Sequence, residues 1–179
     1  MKSTLDISDA ERGMLERRQI LIESMIDDAC ASTTIAKLLF LNQKNPKAPI
    51  SLFINSPGGQ VTATLAIRDT IGFLDSPVHT YGQTQVNGAA LWLLAAGEPG
   101  HRCIQHDSHL SIEPTRFGHL EGEVLEHAVK LNETLAGLLA KSTSLDEDAV
   151  KSALVLGRSF TVEEAIAASM ADGVFDGAL

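Results

Sequence analysis

The segment Ile50-Ser51-Leu52-Phe53-Ile54-Asn55-Ser56-Pro57-Gly58-Gly59 constrains the fold more than any other stretch of the chain. Its first five residues are apolar except for Ser51, which suits a strand covered on both faces, as in a parallel sheet. The Asn-Ser-Pro-Gly-Gly run ends that strand in a turn, and Ala63, Ile67, Ile71 and Leu74 then recur at helical spacing. A buried strand, a glycine turn and a helix in that order make half of a parallel βαβ unit.

The rest of the chain repeats this alternation. Gln19 to Ile22 is a short strand-type run, and a helix is predicted from 28 to 45, with Ala31, Ile35, Leu38 and Leu39 on one face and Asn45-Pro46 ending it. A β-prone run from Val78 to Tyr81 follows Pro77, and Gly88 to Ala96 reads as a buried helix. Leu110 and Ile112 alternate with polar residues in a short strand. Val124, Ala128, Leu131, Leu135 and Leu138 then place one apolar stripe on a longer helix whose other face is wet, so that helix needs a partner surface. Ser144 with Glu147, and Thr161 with Glu164, have the spacing of capping boxes and predict two more helices, before a last strand at Val174-Phe175. The pattern defines an α/β domain without internal repeat or linker.

Composition narrows the function classes. The chain has 179 residues, enough for one domain, and a net charge of −9. That balance lacks the basic footprint of a nucleic-acid or anionic-membrane binder. The longest apolar stretch, Gly88 to Gly97, is too short to span a bilayer, and the first twenty residues hold no secretory apolar core. A cytoplasmic protein is expected. Cys30 and Cys103 make no disulfide framework and read as buried small hydrophobes. His101, His106 and His109 are close in sequence, but an extended segment would send His106 and His109 to opposite faces, so no metal site is expected; nor is a cofactor fingerprint read.

The Pro57-Gly58-Gly59 turn is where chemistry is expected. Backbone N–H groups near a helix start, unobstructed by side chains, can hold an oxyanion. The same three residues also serve as an ordinary tight turn.

The run from Ile54 through Gly58-Gly59-Gln60-Val61-Thr62-Ala63 to Arg68-Asp69-Thr70 resembles the signature of the proteolytic subunit of the Clp protease, ClpP. The likeness extends back through Leu38-Leu39-Phe40-Leu41 and forward through Leu93-Leu94-Ala95-Ala96-Gly97-Glu98. It resumes at Phe160, Glu164-Ala165 and Gly173-Val174-Phe175-Asp176. It implies the crotonase-like fold of repeated βαβ units with a protruding helical handle, here at about 114–141. It also implies a single domain over 15–179 after a short amino-terminal segment, 1–14.

Members of that family are Ser-His-Asp peptidases, yet this sequence departs from the pattern at all three positions. An ungapped match places the nucleophile on Gly88, the base on Glu113, 25 residues further on, and the acid on Arg158, with Gly157 its neighbour. A triad needs an oxygen or sulfur nucleophile, a base competent near neutral pH and an acid that orients it. Gly88, Glu113 and Arg158 supply none of these in order. Glu113 and Arg158 are expected to form an ion pair. The chain therefore resembles a non-catalytic subunit of the ClpR type, found in mixed rings with active partners. Ser56, Ser108, Ser111 and Cys103 are rival nucleophiles without an assignable histidine.

The resemblance also implies assembly. A homo-oligomer, or a mixed heptameric ring with a catalytic ClpP paralogue, is expected, the handle interlocking two rings in the family. The handle region is shorter here, and Leu156-Gly157 replaces charged residues near Arg158, so one ring or two stays open. Docking of a Clp ATPase uses an aromatic pocket, and Phe53 and Phe73 match two of its positions. Ser51 and Cys103 stand where two other aromatic walls would be, which argues against docking. Two other readings stay open: an acyl-substrate enzyme using Glu113 beside the Gly58-Gly59 turn, and an active serine peptidase whose triad lies elsewhere.

Overall fold

A computed structural model of the chain describes residues 9–114 and 122–176. Its strands are β1 (Gln19–Ile22), β2 (Ile50–Ser56), β3 (Val78–Asn87), β4 (Arg102–Ile104), β5 (His109–Ile112), β6 (Arg158–Phe160) and β7 (Gly173–Val174). Its helices are α1 (Asp9–Glu16), α2 (Asp28–Lys44), α3 (Val61–Phe73), α4 (Ala90–Ala95), α5 (Gly122–Ser142), α6 (Glu147–Leu156) and α7 (Val162–Ala167). α1 crosses the boundary expected between residues 14 and 15.

The strands run β1-β2-β3-β4-β7, all parallel. β3 is the branch point. Its first half, Thr80 to Gly82, pairs with β4, and its second half, Gln85 to Asn87, pairs with β5. β5 in turn pairs antiparallel with β6, so the purely parallel order expected from the alternation is broken at one edge. β3 is longer than the predicted Val78–Tyr81 because Gln83, Thr84 and Gln85 hide its second half behind a polar sequence. The register shift between Ile54 and Ser56 is held where the Asn55 side chain accepts a hydrogen bond from the Gln85 N–H at 3.1 Å.

The core lies between the sheet and helices α2, α3 and α4. Ile20, Ile22, Leu52 and Ile54 meet Leu38, Leu41, Ala63 and Ile67, and every residue of α4 is buried. On α2 the buried face is Ala31, Thr34, Leu38 and Leu41; Leu39, expected inside, is 47% exposed. Arg18 ties the end of α2 to the segment after it, its guanidinium donating to the carbonyls of Leu41, Asn45, Ala48 and Pro49. Asp27 caps the other end.

α5 docks through its second half: Leu135, Ala136 and Leu139 are buried, and the Trp92 indole donates to the Leu135 carbonyl at 3.1 Å. Val124 and Val129 in its first half are exposed. The start of the expected handle, 115–121, lies outside the described residues, as does the segment 1–8. Thr161 and Glu164 form the predicted capping box. Ser144 does not cap α6; Asp146 does, accepting from the Ala149 N–H, while the Ser144 hydroxyl donates to Ala167. Cys30 and Cys103 are half-buried rather than buried, and burial raises both thiol pKa values. Among the described residues no helix is long and apolar enough to cross a membrane.

Candidate active-site cavity

The glycine turn after β2 is clamped from both sides by backbone. The Ile26 N–H donates to the Gly58 carbonyl at 2.8 Å and the Gln60 N–H to the Ile26 carbonyl at 2.7 Å, a short parallel bridge. A Cβ on Gly59 would lie 2.6 Å from the Ile26 nitrogen, and one on Gly58, whose φ is +97°, 2.7 Å from the Asn87 carbonyl oxygen. Both positions therefore require glycine. The turn is pressed against the segment where β3 gives way to α4, and this brings Gly58 and Gly59 beside Gly88 and Ala89.

Gly88 and Glu113 are brought together as the sequence spacing requires. The Gly88 N–H donates to the Ser111 carbonyl at 2.9 Å, and a Cβ at Gly88 would lie 3.4 Å from the Glu113 Cγ. Both residues line a cavity of about 280 Å³ with Gly59, Ala89, Val61, Trp92, Leu135 and Leu154. Arg158 sits opposite Ile112 in the β5–β6 register, one residue from Glu113.

The expected ion pair between Glu113 and Arg158 is corrected. Glu113 instead accepts a hydrogen bond from the Ser111 hydroxyl at 2.5 Å, and the exposed Arg158 guanidinium lies 4.6 Å above the Phe160 ring. Leaving the cation on an aromatic face keeps it hydrated, whereas reaching Glu113 would pull it from that ring. Gly157 packs where a Cβ would meet the Pro114 ring at 3.2 Å.

The oxyanion-type turn also differs in detail from the expectation. The Gly58 N–H already donates to the Ser56 hydroxyl at 3.1 Å. Among the described residues the N–H groups of Gly59, Val61, Ala89 and Glu113, all in the cavity lining, donate to no acceptor. Ala89 was not singled out from the sequence. Its signal was its place directly after Gly88.

Two of the rival hydroxyls are committed elsewhere, whereas that of Ser111 donates to Glu113. Ser56 donates to the Ser24 carbonyl at 2.6 Å, and Ser108 to the Gln83 carbonyl at 2.8 Å. His106 lies in a turn rather than an extended segment and approaches Asp176; His109 contacts the Asn87 side chain, and His101 stacks on His79 with centroids 4.0 Å apart. The three histidines are thus separated by their different partners. Among the described residues no cluster of three or more His, Cys, Asp and Glu could hold a metal ion.

The aromatic positions separate. Phe53 is 7% exposed and stacks on Tyr81 at 5.0 Å, and Tyr81 meets Phe175 edge-on at 5.3 Å. Phe73, at the end of α3, is 85% exposed and shares no ring contact with Phe53 among the described residues. Two further rings, Tyr81 and Phe175, thus join Phe53 in one cluster. β7, which Phe175 directly follows, is tied down where Arg102 makes a two-pronged contact with Asp172 at 2.6 and 2.9 Å. Those hydrogen bonds hold the Asp172 carboxyl below its usual pKa.

A mixed, mostly parallel α/β sheet thus carries a glycine-turn cavity between β2, β3 and β5, with Gly88 and Glu113 in its lining. The chain belongs to the Clp protease family, whose model matches residues 2–178. It is 31% identical over 167 residues to "ATP-dependent Clp protease proteolytic subunit 2" of Streptomyces avermitilis, covering 90% of this chain and 84% of that protein. It is 32% identical over 170 residues to "ATP-dependent Clp protease proteolytic subunit 3" of Nocardia farcinica, covering 91% of this chain and 77% of that one.

Proposed function

We propose that this chain is a catalytically inactive, ClpR-type subunit of a ring-shaped Clp assembly in the cytoplasm, with a structural or regulatory role. The observation that carries this reading is the contact between Gly88 and Glu113. The position that would hold the nucleophile has no side chain, and the one beside it offers a carboxylate held by Ser111. Serine peptidase chemistry needs a hydroxyl activated by a base at that point. The family membership supports assembly, as a homo-oligomer or a mixed ring with a catalytic ClpP paralogue. The exposed Val124 and Val129 of α5 favour a handle that meets another subunit. The cluster of Phe53, Tyr81 and Phe175 supports retention of an apolar docking surface for a Clp ATPase, with the exposed Phe73 outside that cluster.

The test is purification of the native complex with measurement of its mass and composition, combined with fluorophosphonate labelling. Co-purification with a Ser-His-Asp paralogue, and label on the paralogue alone, is the expected result. A homo-oligomer labelled on its own serine, Ser108 or Ser111, would replace this reading by an active peptidase.

One observation favours a second reading. Glu113 lines the same cavity as Gly59 and Ala89, whose N–H groups donate to no acceptor among the described residues, an arrangement able to work on an acyl substrate as a crotonase-type enzyme does. Loss of acyl-thioester turnover in Glu113→Gln would support it.

A further inference from the structure

Among the described residues the histidines divide by their partners. His106 approaches Asp176 and His109 contacts the Asn87 side chain, whereas neither ring of His79 and His101 has a hydrogen-bond or ion-pair partner. Those two have each other: their centroids are 4.0 Å apart and their planes 6° from parallel. The register of β3 on β4 sets Thr80 against Arg102, and the Thr80 N–H donates to the His101 carbonyl at 3.1 Å, so His79 and His101 stand side by side on adjacent segments of the sheet. Alternation along β3 puts the pair on the sheet face of Tyr81, where His79 is half-buried and His101 exposed.

Two open imidazoles side by side have a definite ligand chemistry. A neutral imidazole keeps an in-plane lone pair on one ring nitrogen, and here no protein donor claims it. Imidazole nitrogen suits copper, nickel and zinc ions, whereas magnesium and calcium take oxygen ligands. The charge at this place favours a cation: Glu98 is the charged side chain that acts on the His79 ring, and the chain as a whole carries −9. Parallel rings do not aim their lone pairs at one point. Turning the exposed His101 ring about its broad Cβ–Cγ torsion brings its nitrogen round toward that of His79, and no hydrogen bond is broken, because neither ring makes one. Among the described residues no third His, Cys, Asp or Glu completes a metal-holding group, so water fills the other positions and the ion exchanges, unlike the ion of a closed structural site.

We propose that His79 and His101 together bind a divalent transition-metal ion of the copper, nickel and zinc class, bridging β3 to the residue ahead of β4. The site is a two-histidine chelate completed by water. It goes beyond the subunit role above and does not depend on it. An ion held there cross-links two neighbouring sheet segments at the margin of the face that carries Tyr81. Once one imidazole holds the ion, the other is presented at an effective concentration of roughly millimolar or above, so each histidine is worth at least about tenfold in affinity.

Calorimetric titration of the full-length protein, in its native assembly state, with nickel chloride in a non-chelating buffer tests the site. One saturable nickel site per chain is expected, undisturbed by a large excess of magnesium chloride. His79→Gln and His101→Gln should each weaken it at least about tenfold. Nickel should also raise the thermal midpoint of the unaltered protein and leave those of both variants unmoved. Metal-free melts establish that the variants fold; where His79→Gln does not, His101→Gln at the exposed position carries the test. Nickel affinity unchanged in either folded variant would overturn the proposal and assign the binding to other side chains. Absence of saturable binding by the unaltered protein would sink it too, as would displacement of the nickel by magnesium, which would mean oxygen ligands.

Discussion

The glycine-turn cavity and the aromatic face of the sheet stand at opposite ends of β3, and they are built by different means. Around Gly58, Gly59, Gly88 and Ala89 the geometry is made of backbone, and side chains enter only as Glu113 and the apolar wall. Around Phe53, Tyr81 and Phe175 it is made of rings. A backbone-built site keeps its shape when its reactive side chains are changed, because close packing of main chain against main chain admits one arrangement. A face built from side chains depends on which rings the sheet register brings together, as it does for Phe53, Tyr81 and Phe175. A turn built from backbone is therefore compatible with the proposed absence of a triad.

The comparison breaks most sharply at Gly59. Gly59→Ala places a methyl 2.6 Å from the Ile26 nitrogen, where nothing flexible can yield. A loss of about 4 kcal/mol is expected, read as a fall in the urea midpoint at unchanged slope. Tolerance of that change would show that the clamp is looser than its geometry.

Asp172→Asn comes next. It leaves the buried Arg102 guanidinium without its charged partner and should cost about 3 kcal/mol at neutral pH. The pH dependence has a definite sign. Asp172 titrates lower in the folded state than unfolded, chiefly through its hydrogen bonds from Arg102, so its contribution is present above the unfolded carboxyl pKa of 3.8 and is lost as pH falls below it. In the variant, thermal melts across that range should lose part of their acid limb.

Tyr81→Leu tests how interchangeable the ring face is. It removes two ring contacts but keeps an apolar side chain on a half-buried strand position, so about 1 kcal/mol is expected. A loss as large as that of Gly59→Ala would erase the distinction between the two regions.

The smallest effect concerns His79. Burial first, and then the stacked His101, lower its pKa below 6.5, with Glu98 opposing them. The unfolded chain therefore takes up this proton first, and stability falls as pH drops through about 6.5. His79→Gln should flatten that fall by less than about 0.5 kcal/mol, since solvent screens a half-exposed ring.

Much of the architecture was legible in the chain. β1, β2, α2, α3 and α5 carry apolar periodicity that local physics reads directly. The second half of β3, β4 and β6 were not legible, because Gln83-Thr84-Gln85 and Arg158-Ser159 are polar. They are extended only through the neighbours they pair with. At the site, Gly58, Gly59, Gly88 and Glu113 were reached by motif and spacing, and the missing hydroxyl follows from residue identity alone.

The sequence by itself determined that a glycine turn follows a buried strand, that position 88 carries no nucleophile and that position 113 carries a carboxylate. Residue chemistry and local spacing suffice for such statements. Only the tertiary structure decided that Glu113 is held by Ser111 and not by Arg158, that the Gly58 N–H is taken by the Ser56 hydroxyl, and that Phe53, Tyr81 and Phe175 form one cluster. Each of these is a choice among partners distant in the chain. Such choices are made by packing and sheet register, which bring distant residues within hydrogen-bonding range.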